Sequence, residues 1–210
     1  MIVKICGITI LKDALAAVDA GVDMLGYNFY PLSKRYIQLE ACVEIQNELA
    51  RRNVSVNAVG VFVNAFREEI EQTVVCCNID YAQLSGDETP EFAAGLDVPW
   101  FKAIRPKSTL EAEGDGKTFG RGTSPGLLVD SFHPGQYGGT GEVGDWGVAS
   151  VLSRHFSILL AGGLTPENVA SAIEQVCPWG VDVASGVESA PGVKYHEKIR
   201  LFVRHAKEVF

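Results

Sequence analysis

The sequence lacks an apolar run long enough to span a membrane, an excess of basic residues, and any paired-cysteine spacing. Each absence removes a class of function. A helix needs about 20 mostly apolar residues to cross a bilayer, so no membrane role is expected. The net charge is −8, and an acidic chain offers no electrostatic footprint to nucleic acid or to an anionic membrane. Any phosphate on a ligand must then be held by local groups. The five cysteines, Cys6, Cys42, Cys76, Cys77 and Cys177, are odd in number and contain no C-x-x-C pair. Neither a disulfide framework nor a zinc site is indicated, and no metal or other cofactor is expected. Cys42, Cys76, Cys77 and Cys177 sit in apolar helical patterns and read as small buried hydrophobes. Free thiols point to a reducing compartment. The start MIVKICGIT has no basic segment with an apolar stretch behind it, so the expected location is cytoplasmic.

What is present is a regular alternation. Apolar strand patterns occur at Ile2–Cys6, Met24–Asn28, Ser55–Val63, Ile79–Leu84, Trp100–Ile104, Leu127–Asp130, Ser157–Ala161 and Val181–Ala184. Helical patterns between them begin near Ile10, Leu39, Arg67, Thr89, Thr109, Trp146, Pro166 and Tyr195. Eight such units within 210 residues predict an α/β fold, a compact (β/α)₈ barrel using residues 1–210 as one domain. An open doubly wound sheet is the rival, but no G-x-G-x-x-G follows the first strand. Thr165-Pro166-Glu167 offers a cap, a proline at the first helical position and an acid in the first turn. Asp145 is a candidate cap for the sixth helix. The fifth helix is the weak one. Five glycines lie between Lys107 and Gly126, with Pro106 and Pro125 at the edges, so a short or irregular helix and a mobile loop are expected.

In such a barrel, functional residues gather at the carboxyl ends of the strands. Polar or glycine-rich sequence follows an apolar run at Cys6-Gly7-Ile8-Thr9, from Asp130 through Gly141, at Ala161-Gly162-Gly163 and at Ser185-Gly186. Loops after the seventh and eighth strands commonly bind phosphate through backbone N–H groups. Gly162, Gly163, Ser185 and Gly186 are therefore candidate phosphate contacts, since glycine lets the backbone approach an anion closely. Taken singly, each glycine fits a simple turn equally well. Both loops at the right strands favour phosphate.

The segments Lys4-Ile5-Cys6-Gly7-Ile8-Thr9 and Ser33-Lys34-Arg35-Tyr36-Ile37 carry a resemblance, with five more in order. These are Gly60-Val61-Phe62-Val63-Asn64, Gln83-Leu84-Ser85-Gly86, Gly138-Gly139-Thr140-Gly141, Leu160-Ala161-Gly162-Gly163-Leu164, and Asp182 through Glu188. The ordered set resembles the phosphoribosylanthranilate isomerases of tryptophan biosynthesis from Met1 to about Lys194. That resemblance implies an Amadori rearrangement of N-(5′-phosphoribosyl)anthranilate to 1-(2-carboxyphenylamino)-1-deoxyribulose 5-phosphate. The reaction needs an acid at the furanose ring oxygen and a base at C2′, with no redox step and no metal. By motif, Cys6 corresponds to the base, Asp130 to the acid and Arg35 to the residue that meets the anthranilate carboxylate. Gly139 falls in a segment expected to contact substrate. The partner implied is a small phosphorylated molecule, acted on by a monomer or homodimer.

These roles make physical demands. A thiol of ordinary pKa is only partly ionised at neutral pH, so the site must favour the Cys6 thiolate. Lys4 lies two residues earlier on the same strand face. Strands one and eight are neighbours in a closed barrel, so a Lys4–Asp182 pair inside it is expected. Asp130 must be kept protonated by desolvation or nearby negative charge. Arg35 can grip a carboxylate with two hydrogen bonds. Departures from the family pattern are Lys34 in place of proline, Ser85 in place of histidine, and the acidic stretch Glu142–Asp145 where a lysine is common. The four histidines, His133, His155, His196 and His205, show no ligand spacing, and His133 lies near Asp130 in sequence. Two rivals remain. A dual-substrate isomerase of histidine and tryptophan biosynthesis would use an Asp at the end of strand one and show half-barrel repeats; Cys6 and the lack of self-similarity speak against it. A barrel that only binds a phosphometabolite would have no need of both Cys6 and Asp130.

Overall fold

The computed structural model describes residues 1–130 and 146–209. Eight short parallel strands pair in chain order and close into a barrel. They are β1 (Ile2–Cys6), β2 (Met24–Asn28), β3 (Asn57–Phe62), β4 (Tyr81–Leu84), β5 (Trp100–Ile104), β6 (Leu127–Val129), β7 (Ile158–Leu160) and β8 (Gly180–Val183). The helices are α1 (Leu11–Asp19), α2 (Leu39–Arg51), α3 (Arg67–Cys76), α4 (Pro90–Ala94), α5 (Thr109–Phe119), α6 (Trp146–Ser153), α7 (Val169–Val176) and α8 (His196–Lys207). The expected α/β barrel is the fold observed. β1, β2 and β5 match the sequence-based bounds at both ends, and the other strand ends and helix starts lie within three residues of the expected ones.

Side chains alternate across each strand. Val3 and Ile5 point outward into the layer between strands and helices, where Ile199 and Phe202 of α8 also lie. Inside the barrel, Met24, Val59, Phe101, Leu128 and Leu159 pack into a separate apolar cluster. The interior is therefore filled by side chains and is not a pore. Strands buried on both faces read as near-continuous apolar runs, as in Leu127-Leu128-Val129 and Ile158-Leu159-Leu160.

Two charged groups interrupt the interior where β1 meets β8. Lys4 and Asp182 are direct partners in the β1–β8 register. Lys4 Nζ donates to Asp182 Oδ1 at 2.9 Å, with Lys4 fully buried. This is the pair that alternation and barrel closure predict. A second buried pair joins β5 to the loop after β4. Lys102 Nζ donates to the Gly86 carbonyl at 2.6 Å and to Glu88 at 2.8 Å, which pins the loop after β4.

Several expectations need correction. The fifth helix is neither short nor irregular: α5 runs for 11 residues. Ser108 caps it by accepting from Glu111 N at 3.2 Å, while the Glu111 carboxylate accepts from Lys107 N at 2.8 Å. Gly116 does not break the helix because it serves packing. A Cβ there would stand 2.9 Å from Leu152 of α6 and 3.0 Å from Phe156. Cys76 and Cys177 are exposed rather than buried. Cys76 ends α3, and Cys177 caps α7 in a left-handed conformation that turns it outward. The cap proposed at Asp145 lies outside the described residues. The cap expected at Thr165, with Pro166 opening the helix, is also displaced: α7 begins at Val169 with Asn168 at its N-cap, after a turn in which Thr165 Oγ1 accepts from Glu167 N at 3.2 Å and Asn168 Oδ1 accepts from Thr165 N at 2.8 Å. The sequence reading contains no counterpart of the segment after β8. There a 3₁₀ turn (Ser185–Val187) leads into an antiparallel hairpin of β9 (Glu188–Ala190) and β10 (Val193–Lys194).

Removing one partner of a buried pair strands the other's charge, at a cost of roughly 3–5 kcal/mol. Lys4→Met should lose about that much in urea denaturation, whereas Lys4→Met/Asp182→Leu should recover most of it. Equal losses in the two variants would show that packing, not charge, sets the cost.

Candidate active site

The carboxyl ends of the strands form a cavity lined by Cys6, Asn28, Arg35, Gln83, Ser85, Arg105, Asp130 and Asp182, among others. Alternation explains most of this list. Cys6 continues the inward face of Ile2 and Lys4, Arg105 that of Phe101 and Ala103, and Asp130 that of Leu128. The Asp130 N–H donates to the Ile104 carbonyl at 3.0 Å, which extends the β5–β6 ladder and holds Asp130 at the rim. Cys6, Asp130 and Arg35 thus meet at one mouth, as the sequence suggests.

Cys6 is buried beside two ammonium groups. A Cβ on Gly26 of β2 would lie 2.8 Å from Cys6 Sγ and 3.1 Å from Lys4 Nζ. The missing side chain at position 26 is what lets the thiol and the ammonium share this space. Burial pushes the Cys6 thiol above its ordinary value, against the pull of Lys4 and, more weakly, Lys194; Asp182 adds to the upward push. The expected help from Lys4 is present, but desolvation outweighs it. Lys4 itself is raised: burial opposes its charge, and Asp182 and Cys6 overcome that.

Arg35 makes a two-point contact. Its Nε and Nη2 each donate to a Glu188 carboxylate oxygen at 2.8 Å. Glu188 also accepts from Lys194 Nζ at 2.7 Å. The same ammonium donates to the Cys6 carbonyl at 2.6 Å and the Ala184 carbonyl at 3.2 Å. The hairpin after β8 therefore ties together the loops after β1, β2 and β8. Glu188 is held below the usual carboxylate range: burial raises it, and Arg35 and Lys194 more than offset that.

Arg105 and Asp130 approach to 4.0 Å. Gly162 and Gly163 both adopt positive φ, 89° and 64°, which glycine alone adopts readily. Gly186 packs directly on the Leu164 carbonyl, so the loops after β7 and β8 touch with no room for a side chain. Ser185 and Gly186 open the 3₁₀ turn, whose first amides have no intrahelical acceptor. Gly139, His133 and the stretch Glu142–Asp145 lie outside the described residues. Gln83 Nε2 donates to Ser85 Oγ at 3.0 Å, so the serine at that place is engaged within the pocket wall.

Three residues of this site carry no assignment in the sequence reading. Arg105 follows an inward-facing alternation that could have revealed it. Glu188 ends a quoted motif, and Lys194 lies where the family resemblance ends, but neither has a sequence signal for a partner. Among the described residues, no group of three or more His, Cys, Asp or Glu side chains is placed to hold a metal ion. No helix among them is long and apolar enough to cross a membrane.

Known proteins resemble this chain along its length. The family model for N-(5′-phosphoribosyl)anthranilate (PRA) isomerase matches residues 3–205. The N-(5′-phosphoribosyl)anthranilate isomerase of Myxococcus xanthus is 48% identical over 99% of this chain and 96% of the relative. That of Trichlorobacter lovleyi is 46% identical over 98% of both. The crystal structure of the Thermotoga maritima phosphoribosyl anthranilate isomerase superposes with a TM-score of 0.89 at 38% identity, covering 99% of this chain and all of that one (100%). A further isomerase structure holds reduced 1-(o-carboxyphenylamino)-1-deoxyribulose 5-phosphate; it has a TM-score of 0.84 at 37% identity and covers 99% of this chain and 100% of that one.

The Cys6 environment has a direct readout. Iodoacetamide alkylation of Cys6, followed by mass spectrometry of its peptide, should show a midpoint above the ordinary thiol value of about 8.5. Lys4→Met should move it further up, because the ammonium that pulls the thiol down is gone. A midpoint below the ordinary value, or no response to Lys4→Met, would contradict this account of the pocket.

Proposed function

The chain belongs to the N-(5′-phosphoribosyl)anthranilate isomerase family and catalyses that isomerisation in tryptophan biosynthesis, and we propose that Cys6 and Asp130 carry its two proton transfers. Asp130 gives its proton to the furanose ring oxygen as the bond from that oxygen to C1′ breaks, leaving a Schiff base. The Cys6 thiolate then takes the C2′ proton. The resulting enolamine gains a proton at C1′ and gives up its C2′ hydroxyl proton as it becomes the aminoketone product, and net return of the proton from Cys6 to Asp130 by way of solvent resets both groups. The observation that carries the assignment is that a buried thiol flanked by ammonium groups and a strand-end carboxyl line the same cavity.

Electrostatics supports the division. Lys4 and Lys194 favour the thiolate of Cys6. A buried thiol pushed upward is scarcer as thiolate but a stronger base once ionised. Arg105 stabilises the carboxylate that Asp130 becomes on losing its proton.

The substrate is anionic at both ends while the protein is acidic overall. We assign the phosphate to backbone amides at Gly162, Gly163, Ser185 and Gly186, with Gly139 as a further contact. Two loops in contact, one of them opening a 3₁₀ turn, supply N–H groups without side-chain obstruction. The anthranilate carboxylate goes to Arg35, the guanidinium at the same mouth. The enzyme is read as one domain over residues 1–210, acting as a monomer or homodimer; a Thermotoga maritima relative is described as dimeric. The unpaired thiols Cys76 and Cys177, both exposed, suit a reducing compartment such as the cytoplasm.

Loss of a positioned acid or base costs roughly 10²–10⁴-fold in rate. Cys6→Ser and Asp130→Asn should each show that loss in kcat, followed by the decay of anthranilate fluorescence, with circular dichroism unchanged. Near wild-type turnover in either variant would remove its residue from the mechanism. Arg35→Ala should instead raise KM about 10- to 150-fold, the range for a hydrogen bond to a charged partner, with kcat largely kept. A loss confined to kcat would place Arg35 in the chemistry instead.

A further inference from the structure

Arg35 reaches the mouth already holding a carboxylate. A guanidinium has five N–H donors in a fixed fork. Glu188 takes the edge made by Nε and Nη2. Among the described residues none accepts from the edge made by Nη1 and the second Nη2 hydrogen, which is left for another planar acceptor. Glu188 is itself fixed from behind, by Lys194 Nζ at 2.7 Å, and Lys194 is fully buried and bound to two backbone carbonyls. One of these carbonyls belongs to Cys6. The stem of Arg35 lies over Gly7, where a Cβ would come within 2.6 Å of Arg35 Cδ. The Ser33 hydroxyl accepts from the Arg35 N–H at 3.1 Å. Every part of Arg35 except the free edge is thus immobilised by the loops after β1, β2 and β8.

We propose that Glu188, seated on Lys194, is a positioning residue that aims the free edge of Arg35 at the anthranilate carboxylate and so sets the enzyme's preference for a carboxylated ring. This rests on the assignment of that carboxylate to Arg35. Arg35 is a long side chain with several rotatable bonds, and ordering it on binding would cost entropy; an Arg35 ordered beforehand spares that cost. The cluster of Arg35, Lys194 and Glu188 carries one net positive charge, matched to one carboxylate. The 3₁₀ turn assigned to phosphate runs directly into Glu188. One short segment after β8 therefore serves both ends of the substrate.

Positioning and charge make opposite predictions here. Glu188→Gln removes a negative charge beside Arg35. If charge alone mattered, the carboxylate would bind more tightly. If Glu188 aims Arg35, preference for the carboxylate should fall. The probes are reduced 1-(o-carboxyphenylamino)-1-deoxyribulose 5-phosphate and the matching phenylamino compound without the carboxylate, titrated by fluorescence. Wild type should favour the first by about 10- to 150-fold. Glu188→Gln should bring the ratio of dissociation constants to within a few-fold of one, while affinity for the second probe changes little. A structural defect would weaken both probes together and leave the ratio unchanged. Glu188→Gln leaves the buried Lys194 without a counter-charge, so Glu188→Gln/Lys194→Met, which removes that ammonium and leaves only Arg35 charged, is the companion variant and should lose the ratio as well. A ratio that stays or rises in either folded variant overturns the proposal. Arg35→Ala separates this from the underlying assignment: if it keeps the ratio, Arg35 does not hold the carboxylate, whereas loss there with retention in Glu188→Gln sinks only the positioning role.

Discussion

The buried ion pair between Lys4 and Asp182 is the constraint on which the active end of the barrel depends. It sits where the last strand closes on the first, with both residues paired in register. Burying two charges costs several kcal/mol per ion before their attraction repays it, and well-packed apolar residues often do as well or better. Stability alone therefore does not account for a lysine at this place. Its ammonium is the first opposing influence on the upward push that burial gives Cys6. Gly26 on the neighbouring strand leaves the volume in which thiol and ammonium meet. Closure of the sheet, room in its second strand and the thiol we propose as the base are one local arrangement.

The rest of the mouth repeats the pattern of a cation set against an acid. Lys194 and Arg35 share Glu188, and Arg105 faces Asp130. This is how a protein of net charge −8 can receive a ligand that is anionic at both ends. The positive charge is concentrated at the mouth, and Arg35 and Arg105 are each set against an acid on a different loop. The amides after β7 and β8 to which we assign the phosphate add no charge, so on that assignment local dipoles and buried cations, rather than the overall field, carry recognition.

Much of this was legible in the sequence, for identifiable reasons. Strands buried on both faces must be apolar and short, so eight of them stood out between helical patterns. The Lys4–Asp182 pair followed from two-residue alternation and the adjacency of first and last strands, with no reference to relatives. Cys6, Asp130 and Arg35 came from motif resemblance, because no periodicity distinguishes a reactive thiol from a packed one. What escaped notice was tertiary. Glu188 and Lys194 owe their roles to a hairpin whose only sequence sign is Pro191-Gly192, a turn signal passed over beside the stronger helix after it. Gly116 reads as a helix breaker until Leu152 and Phe156 are seen against it. Cys76 and Cys177 lie in apolar stretches but at helix ends, where a one-residue rotation decides between core and solvent.

The central claim is that the Lys4 ammonium makes a buried Cys6 usable as a base. The pH dependence of kcat/KM tests it most directly, compared between wild type and Lys4→Met/Asp182→Leu, in which neither charge is left stranded. Lys4 acts on Cys6 more strongly than Asp182 does, and in the opposite sense, so removing both should leave the thiol higher. The limb on which activity rises with pH should move to higher pH in the double variant, with thermal stability little changed. Superimposable limbs would show that the ammonium does not govern the ionisation of Cys6.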